Sequence, residues 1–156
     1  MNIHDYLLDQ HGKDWTRLFS YWAGIIPESF TVWLVNRFGD AFLVLEDGSV
    51  HMLDLGGGSF KRLADSRDHF AQLLDVDDNA SNWLMIPLIE DCAKALAPLQ
   101  ASQCYSFKIP PMLGGEYCLE NVETCDLDVC YSLLAEVCKQ TKDLPDGTKV
   151  TIKVTE

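Results

Sequence analysis

Two short apolar runs joined by an Asp-Gly pair constrain the fold of this chain more than any other feature. The runs 41–46 and 50–55 are rich in Val and Leu, and Asp47-Gly48 lies between them. Asp-Gly between apolar runs is a strong signal for a β-hairpin, because both residues tolerate the positive φ angles of a tight turn. The glycines at 56–58 then predict a turn into a third strand near 60–63. We therefore expect a small antiparallel meander.

Apolar residues at helical spacing predict helices on the N-terminal side of this meander. The first group ends where Gly24 and Pro27 interrupt the spacing, and its members are Tyr6, Leu7, Trp15, Leu18, Phe19 and Trp22. A second amphipathic helix is expected from Pro27 to Gly39, because Pro favours the first helical turn and Gly the C-terminal cap. Its apolar side would carry Phe30, Trp33, Leu34 and Phe38.

Helical spacing returns after the meander and predicts two helices in the middle of the chain. Ser66 is a candidate N-cap for the first, which would bury a face around Phe70. The second is expected from Asn82 to the residues before Pro98. The link 75–79 between them is strongly acidic, so we expect it to be exposed.

The C-terminal part alternates between β-like and helical patterns. We expect strands at 103–109 and 117–125, joined through prolines and a Gly114-Gly115 turn. Asp126 is expected to cap a helix to about Lys142, whose inward side would carry Val129, Leu133, Leu134 and Val137. A turn at 144–147 then precedes a last strand at 149–154.

This order of elements predicts an α+β fold. It would consist of N-terminal helices, a small antiparallel β-meander, a helical middle and a C-terminal β-rich part with one packed helix. A chain of 156 residues has the length of one compact domain. The domain would be undivided or consist of two closely joined lobes, 1–79 with the helices and the meander, and 80–156.

The charge balance restricts the partners of the chain. Twenty-four Asp and Glu against twelve Lys and Arg give a formal net charge of −12. Such a surface repels phosphate backbones, so we expect no direct binding of nucleic acid. A basic protein, by contrast, would be attracted to it.

The compartment is predicted from the absence of targeting signals. The N-terminus has no secretory pattern, and nearly uncharged stretches such as 80–89 are far shorter than the roughly 20 residues that span a bilayer. We therefore expect a cytoplasmic protein without a membrane segment. No two of the six cysteines form a C-x-x-C pair, which predicts reduced thiols, several of them in the core.

Templates for catalysis and cofactor binding are absent from the sequence. The glycine clusters fit neither a P-loop nor a dinucleotide-binding loop, and no hydrolase or zinc-protease motif occurs. Asp75, Asp77 and Asn79 match the first ligands of a calcium loop, but Ile86 stands where its bidentate Glu is required. We predict no enzyme, no metal and no cofactor. The catalytic alternative would combine dispersed carboxylates with His51.

Clustered carboxylates are the candidate binding residues. They form an acidic loop after the first middle helix and a second group around the aromatic Tyr117, which would serve as an anchor. The candidate partner-binding residues are Asp75, Asp77, Asp78, Glu116, Tyr117, Glu120 and Glu123.

The C-terminal third carries a long, specific string. It reads Gln103-Cys104-Tyr105-Ser106-Phe107-Lys108-Ile109-Pro110-Pro111-Met112-Leu113-Gly114-Gly115-Glu116-Tyr117, followed by Asn121-Val122-Glu123 and by Leu144-Pro145-Asp146-Gly147. These residues resemble the type VI secretion DNase-immunity proteins, whose C-terminal domain was long catalogued as a domain of unknown function. The resemblance covers residues 80–154, and the segment 38–55 is similar to the region that precedes it in that family. The motif residues expected to shape the backbone or pack against it are Gln103, Tyr105, Phe107, Pro110, Pro111, Gly114, Gly115, Pro145 and Gly147.

The resemblance implies a cytoplasmic, non-enzymatic bacterial immunity protein that neutralises a secreted nuclease by stoichiometric binding. Its partner would be a basic toxin, and the protein itself a monomer or a weak homodimer. The segment 26–39 is also similar to the opening helix of the SMI1/KNR4 superfamily, another source of toxin immunity proteins. The alternative is a regulatory or scaffold domain that shares the fold and binds a partner other than a toxin.

Overall fold

A four-stranded antiparallel sheet forms the centre of the structure, a computed structural model that describes residues 2–141. Its strands are β1 (Thr31–Val35), β2 (Ala41–Val44), β3 (Val50–Asp54) and β4 (Ser59–Ala64), in that spatial order. The predicted hairpin is confirmed: the Leu45 N–H donates to the Ser49 carbonyl at 3.0 Å, and Gly48 has a φ of 85°. The third predicted strand is β4, and β1 adds a strand that the sequence analysis does not predict.

The strand β1 overturns the helix expected from Pro27 to Gly39, and with it the opening helix that the SMI1/KNR4 similarity implies. The pairing of β1 with β2 slips between Val32 and Leu34, so Trp33 is an extra residue in the ladder. Trp33 and Leu34 therefore pack against the same core cluster instead of pointing to opposite faces. Adjacent apolar residues on one side imitate helical spacing, whereas the β-branched Thr31, Val32 and Val35 favour a strand.

Both faces of the sheet are covered, because its strands are apolar on alternate sides. Leu43 and Leu53 belong to one buried cluster, and Phe42 and Val50 belong to another. Successive side chains of a strand point to opposite faces, so each cluster lies on its own side of the sheet.

The first face packs against α1 (Trp15–Ser20) and α5 (Leu127–Thr141). The Tyr131 hydroxyl of α5 donates to the Gly39 carbonyl at 2.6 Å, and its ring contacts Phe19 of α1. Asp126 caps α5 as predicted, since its Oδ1 accepts the Asp128 N–H at 3.0 Å. Leu134 and Val137 are buried as expected, but the inward position predicted for Val129 is wrong because that side chain is 50% exposed.

The second face packs against α2 (Arg67–Leu73) and α3 (Asn79–Trp83), and α4 (Ile86–Ala95) follows. Ser66 caps α2 as predicted, its side chain accepting the His69 N–H at 3.0 Å. The single helix expected from Asn82 onward is wrong. Met85 adopts the left-handed conformation with a φ of 56°, which ends α3 and redirects the chain into α4.

A separate two-stranded sheet joins β5 (Gln103–Phe107) to β6 (Val122–Asp126). The strand predicted at 117–125 begins five residues later, at Val122, because short 3-10 turns occupy Pro111–Leu113 and Leu119–Asn121. The small sheet is joined to the main sheet by the Tyr105 N–H, which donates to the Arg37 carbonyl at 2.8 Å. The predicted turn 144–147 and strand 149–154 lie outside the described residues.

The α+β class is confirmed, although the N-terminal side is less helical than expected. Before the main sheet, the described chain contains a 3-10 turn at Ile3–Tyr6 and the short α1. The two-lobe alternative stays a prediction. Among residues 2–141, none of the helices has both the length and the hydropathy required to span a membrane.

Candidate functional site

A cleft of about 970 Å³ lies on the second face of the main sheet. One wall consists of β3 and β4 residues, including Met52, Asp54 and Lys61. The α3–α4 segment forms the opposite wall, and the loop 108–121 between β5 and β6 forms the third. This volume is at the upper end of the range of about 300–1,000 Å³ that is usual for binding pockets.

The buried carboxyl group of Asp40 belongs to this cleft and is held in place by Asn36. Asn36 Nδ2 donates to Asp40 Oδ2 at 3.0 Å and to the Trp83 carbonyl at 3.0 Å, while its Oδ1 accepts the N–H groups of Phe38 and Asp40. Asp40 Oδ1 accepts the Leu55 N–H at 2.9 Å. A single amide thus connects the β1–β2 turn, the buried carboxyl group and the end of α3.

A second carboxyl group, that of Asp54, lies at the end of β3. Its Oδ1 accepts the Gly57 N–H at 3.0 Å, whereas its Oδ2 has no hydrogen-bond donor within the described part of the chain. Burial raises the pKa of Asp54, opposed by the Gly57 hydrogen bond and the charge of Lys61. Burial, and then the charge of Asp54, raise the pKa of Asp40. The burial of Asp40 and the negative charge of Asp54 therefore both favour the protonated, neutral form of Asp40.

The loop 108–121 is shaped by Asn121, a residue to which the sequence analysis assigns no role. Asn121 Nδ2 donates to the carbonyls of Ile109 and Glu116, both at 2.9 Å, and its Oδ1 accepts the Ile109 N–H at 2.9 Å. Gly115 fits tightly beneath this connection, because a Cβ there would lie 1.7 Å from the Ile109 carbonyl oxygen. The loop therefore has a defined shape although it contains neither an α-helix nor a β-strand.

This loop holds Tyr117 at the cleft. The Tyr117 ring meets Phe107 edge-on at 5.3 Å between centroids, and Phe107 in turn stacks on Phe38 at 5.0 Å. Burial, followed by the charges of Asp54 and Asp40, raises the pKa of Tyr117 to about 12. Because its side chain is 57% exposed, Tyr117 combines a fixed aromatic ring with an accessible surface.

The opposite wall contains the strained residue of the α3–α4 turn. A left-handed non-glycine residue costs about 1 kcal/mol, and such strain is frequent at functional sites. Here the Met85 conformation separates α3 from α4, so that Trp83 and Asp91 both contribute to the cleft. Asp91 is exposed on α4.

The predicted binding residues fall into different parts of the structure. Tyr117 and Glu120 line the cleft, whereas Glu116 is exposed on the loop and Glu123 is exposed on β6. The other group is exposed between α2 and α3, away from the cleft lining, and consists of Asp75, Asp77 and Asp78. The structure therefore brings together two of the seven predicted residues at the cleft.

The structure describes the motif residues as far as Gly115, and their structural role stays a prediction. Tyr105 is buried, and Gln103 Oε1 accepts the Gln100 N–H at 3.0 Å. The loop residues Pro110 and Pro111 provide carbonyls that accept the N–H groups of Gly115 and Gly114. Pro145 and Gly147 lie outside the described residues.

The structure also places the groups considered for catalysis and metal binding. His51 lies on β3 with its ring stacked on Phe60 at 5.0 Å, and it does not belong to the cleft lining. Burial, and then the charge of Arg62, lower its pKa. Within residues 2–141, no group of three or more His, Cys, Asp or Glu side chains is arranged to hold a metal ion.

Comparison with known proteins identifies the C-terminal part of the chain. Residues 64–137 match the family model described as "T6SS immunity protein Tdi1, C-terminal", where T6SS denotes the type VI secretion system. This segment is similar to that family of immunity proteins, and the match confirms the resemblance found in the sequence. It extends from the end of β4 into α5 and includes two walls of the cleft, while β3 and most of β4 precede it.

A solved structure is similar to a larger part of the chain. The crystal structure of Atu4351 from Agrobacterium tumefaciens has 15% sequence identity and a TM-score of 0.49, over 77% of this chain. The present chain covers 61% of that protein's chain. No curated protein matches the sequence.

Proposed function

We propose that this protein is a cytoplasmic immunity protein that neutralises a cognate secreted nuclease by binding it stoichiometrically. The match of residues 64–137 to a type VI secretion immunity family carries the proposal. Immunity requires recognition of a toxin and no chemistry of its own, so a partner-binding surface is the functional site to be sought.

The charge of the protein supports a basic partner. A net charge of −12 generates a field that attracts a cationic surface and accelerates association with it. Nucleases bind the phosphates of DNA through basic surfaces, and carboxylates placed on such a surface would exclude DNA from it. We therefore propose that the acidic groups of this protein occupy the DNA-binding surface of the toxin.

Two exposed acidic surfaces are the proposed contacts. The first is the turn between α2 and α3, with Asp75, Asp77 and Asp78. The second is the loop 108–121, where Tyr117 is an aromatic anchor of the kind that dominates many interfaces, with Glu116 and Glu120 beside it.

The proposal is tested by co-expressing the protein with a nuclease encoded by the adjacent gene. We expect the two to co-purify, and we expect DNA cleavage by the nuclease to stop when this protein is added. Replacing Asp75, Asp77 and Asp78 together by Asn should weaken the complex, whereas Glu46→Gln, a change at an exposed hairpin residue, should not. Nuclease activity that persists in the presence of excess protein, with no complex formed, would contradict the proposal.

A further inference from the structure

We infer that the cleft between β3–β4, α3–α4 and the loop 108–121 is a receptor for an arginine side chain on a segment of the partner protein. The inference rests on the proposed function, since it specifies what part of a basic toxin the cleft would take. It concerns a site formed by Asp54, Asp91, Glu120 and Tyr117, and the exposed acidic surfaces proposed above do not include Asp54 or Asp91.

The excess of carboxyl groups in the cleft favours the binding of a cation. Its lining contains the carboxyl groups of Asp40, Asp54, Asp91 and Glu120 but, among the described residues, only one cationic side chain, that of Lys61. None of these carboxyl groups forms an ion pair within residues 2–141. In the part of the chain that the structure describes, Asp54 is the one of these groups that is partly buried without an ion pair or a full set of hydrogen bonds. A carboxylate removed from water is unfavourable unless it is paired, so an incoming cation would stabilise it.

Asp54 is the group best placed to receive that cation. Its Oδ1 is engaged by the Gly57 N–H, which fixes the carboxyl group, while its Oδ2 lacks a donor in the described chain. A fixed acceptor with an available oxygen loses little conformational freedom on binding. Lys61 lines the same wall but is not in an ion pair with it.

The aromatic residues favour arginine over lysine. Tyr117, Phe107 and Trp83 line the cleft together with the carboxyl groups. A guanidinium group stacks on aromatic rings and donates several hydrogen bonds in one plane, whereas an ammonium group is a compact, strongly hydrated charge. The ring of Tyr117 is held by Phe107, so this part of the receptor is formed before binding.

The size of the cleft indicates that the arginine belongs to a protein. A volume of about 970 Å³ exceeds what one side chain fills, so neighbouring residues of the partner segment would enter with it. The apolar residues Met52, Leu63 and Leu88 offer contacts for such neighbours.

The cleft is tested first without a toxin, by NMR titration of the protein with N-acetyl-arginine amide. We expect shifts in the backbone amides around Asp54 and Tyr117, weaker binding of N-acetyl-lysine amide, and at least about tenfold weaker binding by Asp54→Asn. Asn keeps the Oδ1 acceptor for Gly57 while removing the charge. Glu46→Gln removes one negative charge outside the cleft and should leave the titration unchanged. Amide shifts spread over the acidic surface, or equal losses of affinity in Asp54→Asn and Glu46→Gln, would overturn the inference.

A second measurement separates this inference from the proposed function. With the co-purifying nuclease, we expect Asp54→Asn to weaken binding at least about tenfold and Glu46→Gln to leave it unchanged. If the nuclease binds both variants equally, the receptor is refuted while the immunity function stands. If no nuclease binds the wild-type protein, the function fails, and the arginine amide titration still decides whether the cleft receives a guanidinium group.

Discussion

At the residue scale, the side-chain amide of Asn36 determines the position of the buried carboxyl group in the cleft. Its four hydrogen bonds connect Phe38, Asp40 and Trp83, which belong to different parts of the chain. Because Asn36 is fully buried, water cannot replace these bonds without entering the core.

Replacing Asn36 by Ala is therefore expected to destabilise the protein by about 3 kcal/mol, since several buried polar groups lose their partner. The free energy of unfolding in urea measures the effect. Gln72→Ala, a change at an exposed position of α2, serves as the control and should stay within about 0.5 kcal/mol of the wild type. Equal stability of the two variants would mean that Asn36 does not hold this region.

The raised pKa of Asp54 predicts how stability depends on pH. The ordinary pKa of an Asp side chain is 3.8, and burial raises the pKa of Asp54 in the folded protein. The titratable groups that interact with Asp54 there are Asp40, Lys61 and Tyr117. Between the ordinary and the raised pKa, the folded state binds more protons than the unfolded state, so stability falls as the pH rises. Below the ordinary pKa, both states are protonated and the penalty is absent.

Asp54→Asn is therefore expected to be more stable than the wild type at pH 7 and to lose this advantage as the pH falls towards 3.8. Thermal unfolding of both proteins across this range measures the difference. A substitution that stabilises the protein but weakens its binding to a partner is typical of a functional residue. A wild type that is more stable than Asp54→Asn at pH 7 would contradict the predicted burial penalty.

The sequence predicts exposed carboxylates more readily than buried ones. Asp75, Asp77 and Asp78 stand out because they are adjacent in an acidic link, and they are exposed as expected. Asp40 is a single acid that precedes the apolar run of β2, and Asp54 is a single acid at the end of β3. The spacing does indicate that Asp54 lies on the same side of β3 as Met52, because the two residues are two positions apart in a strand. The proximity of Asp40 and Asp54, however, follows only from the pairing of β2 with β3.

At the scale of elements, local signals predict turns and caps, whereas the extent of helices depends on tertiary pairing. Ser66, Asp126 and the Asp47-Gly48 turn act through neighbouring backbone groups, and all three are confirmed. The helix predicted across β1 fails because its partner strand and its bulge are not local. Met85 interrupts the second predicted helix through a backbone conformation that its residue type does not favour.

The loop 108–121 offers a test at this scale through two adjacent glycines. Gly115→Ala places a Cβ against the Ile109 carbonyl and should displace the loop, whereas Gly114→Ala meets no atom within 4 Å and adds the strain of a φ of 93°. We expect Gly114→Ala to lower the free energy of unfolding by about 1 kcal/mol and Gly115→Ala to lower it further.

Urea unfolding gives the two free energies, and NMR shifts around Tyr117 report the position of the loop. Because Gly114→Ala is the matched control, the loop shifts should be larger in Gly115→Ala. Equal NMR shifts around Tyr117 and equal losses of unfolding free energy in the two variants would show that the close approach of Gly115 to Ile109 does not shape the loop.

At the scale of the whole molecule, the net charge and the family match both support the proposed immunity function. The sequence predicts the acidic character, the α+β class and a resemblance to an immunity family, and the match of residues 64–137 confirms that resemblance. The sequence does not predict the cleft, because the walls of the cleft come from strands, helices and a loop that are distant in the chain. A site assembled in this way becomes visible only when the elements are packed together.

The net charge of −12 predicts that association with a basic toxin depends on ionic strength. We expect the association rate to fall by about tenfold between roughly 50 mM and 500 mM salt, with a smaller change in the dissociation rate. Stopped-flow or surface plasmon resonance measurements provide both rates. An association rate that is independent of salt would contradict electrostatic attraction between the two proteins.

The most direct test of the account is to titrate the nuclease encoded beside this gene with the purified protein while DNA cleavage is measured. Stoichiometric neutralisation predicts that activity falls linearly and reaches zero at a fixed molar ratio, with a complex of that composition in size-exclusion chromatography. Cleavage that continues at a large excess of the protein would contradict the central claim.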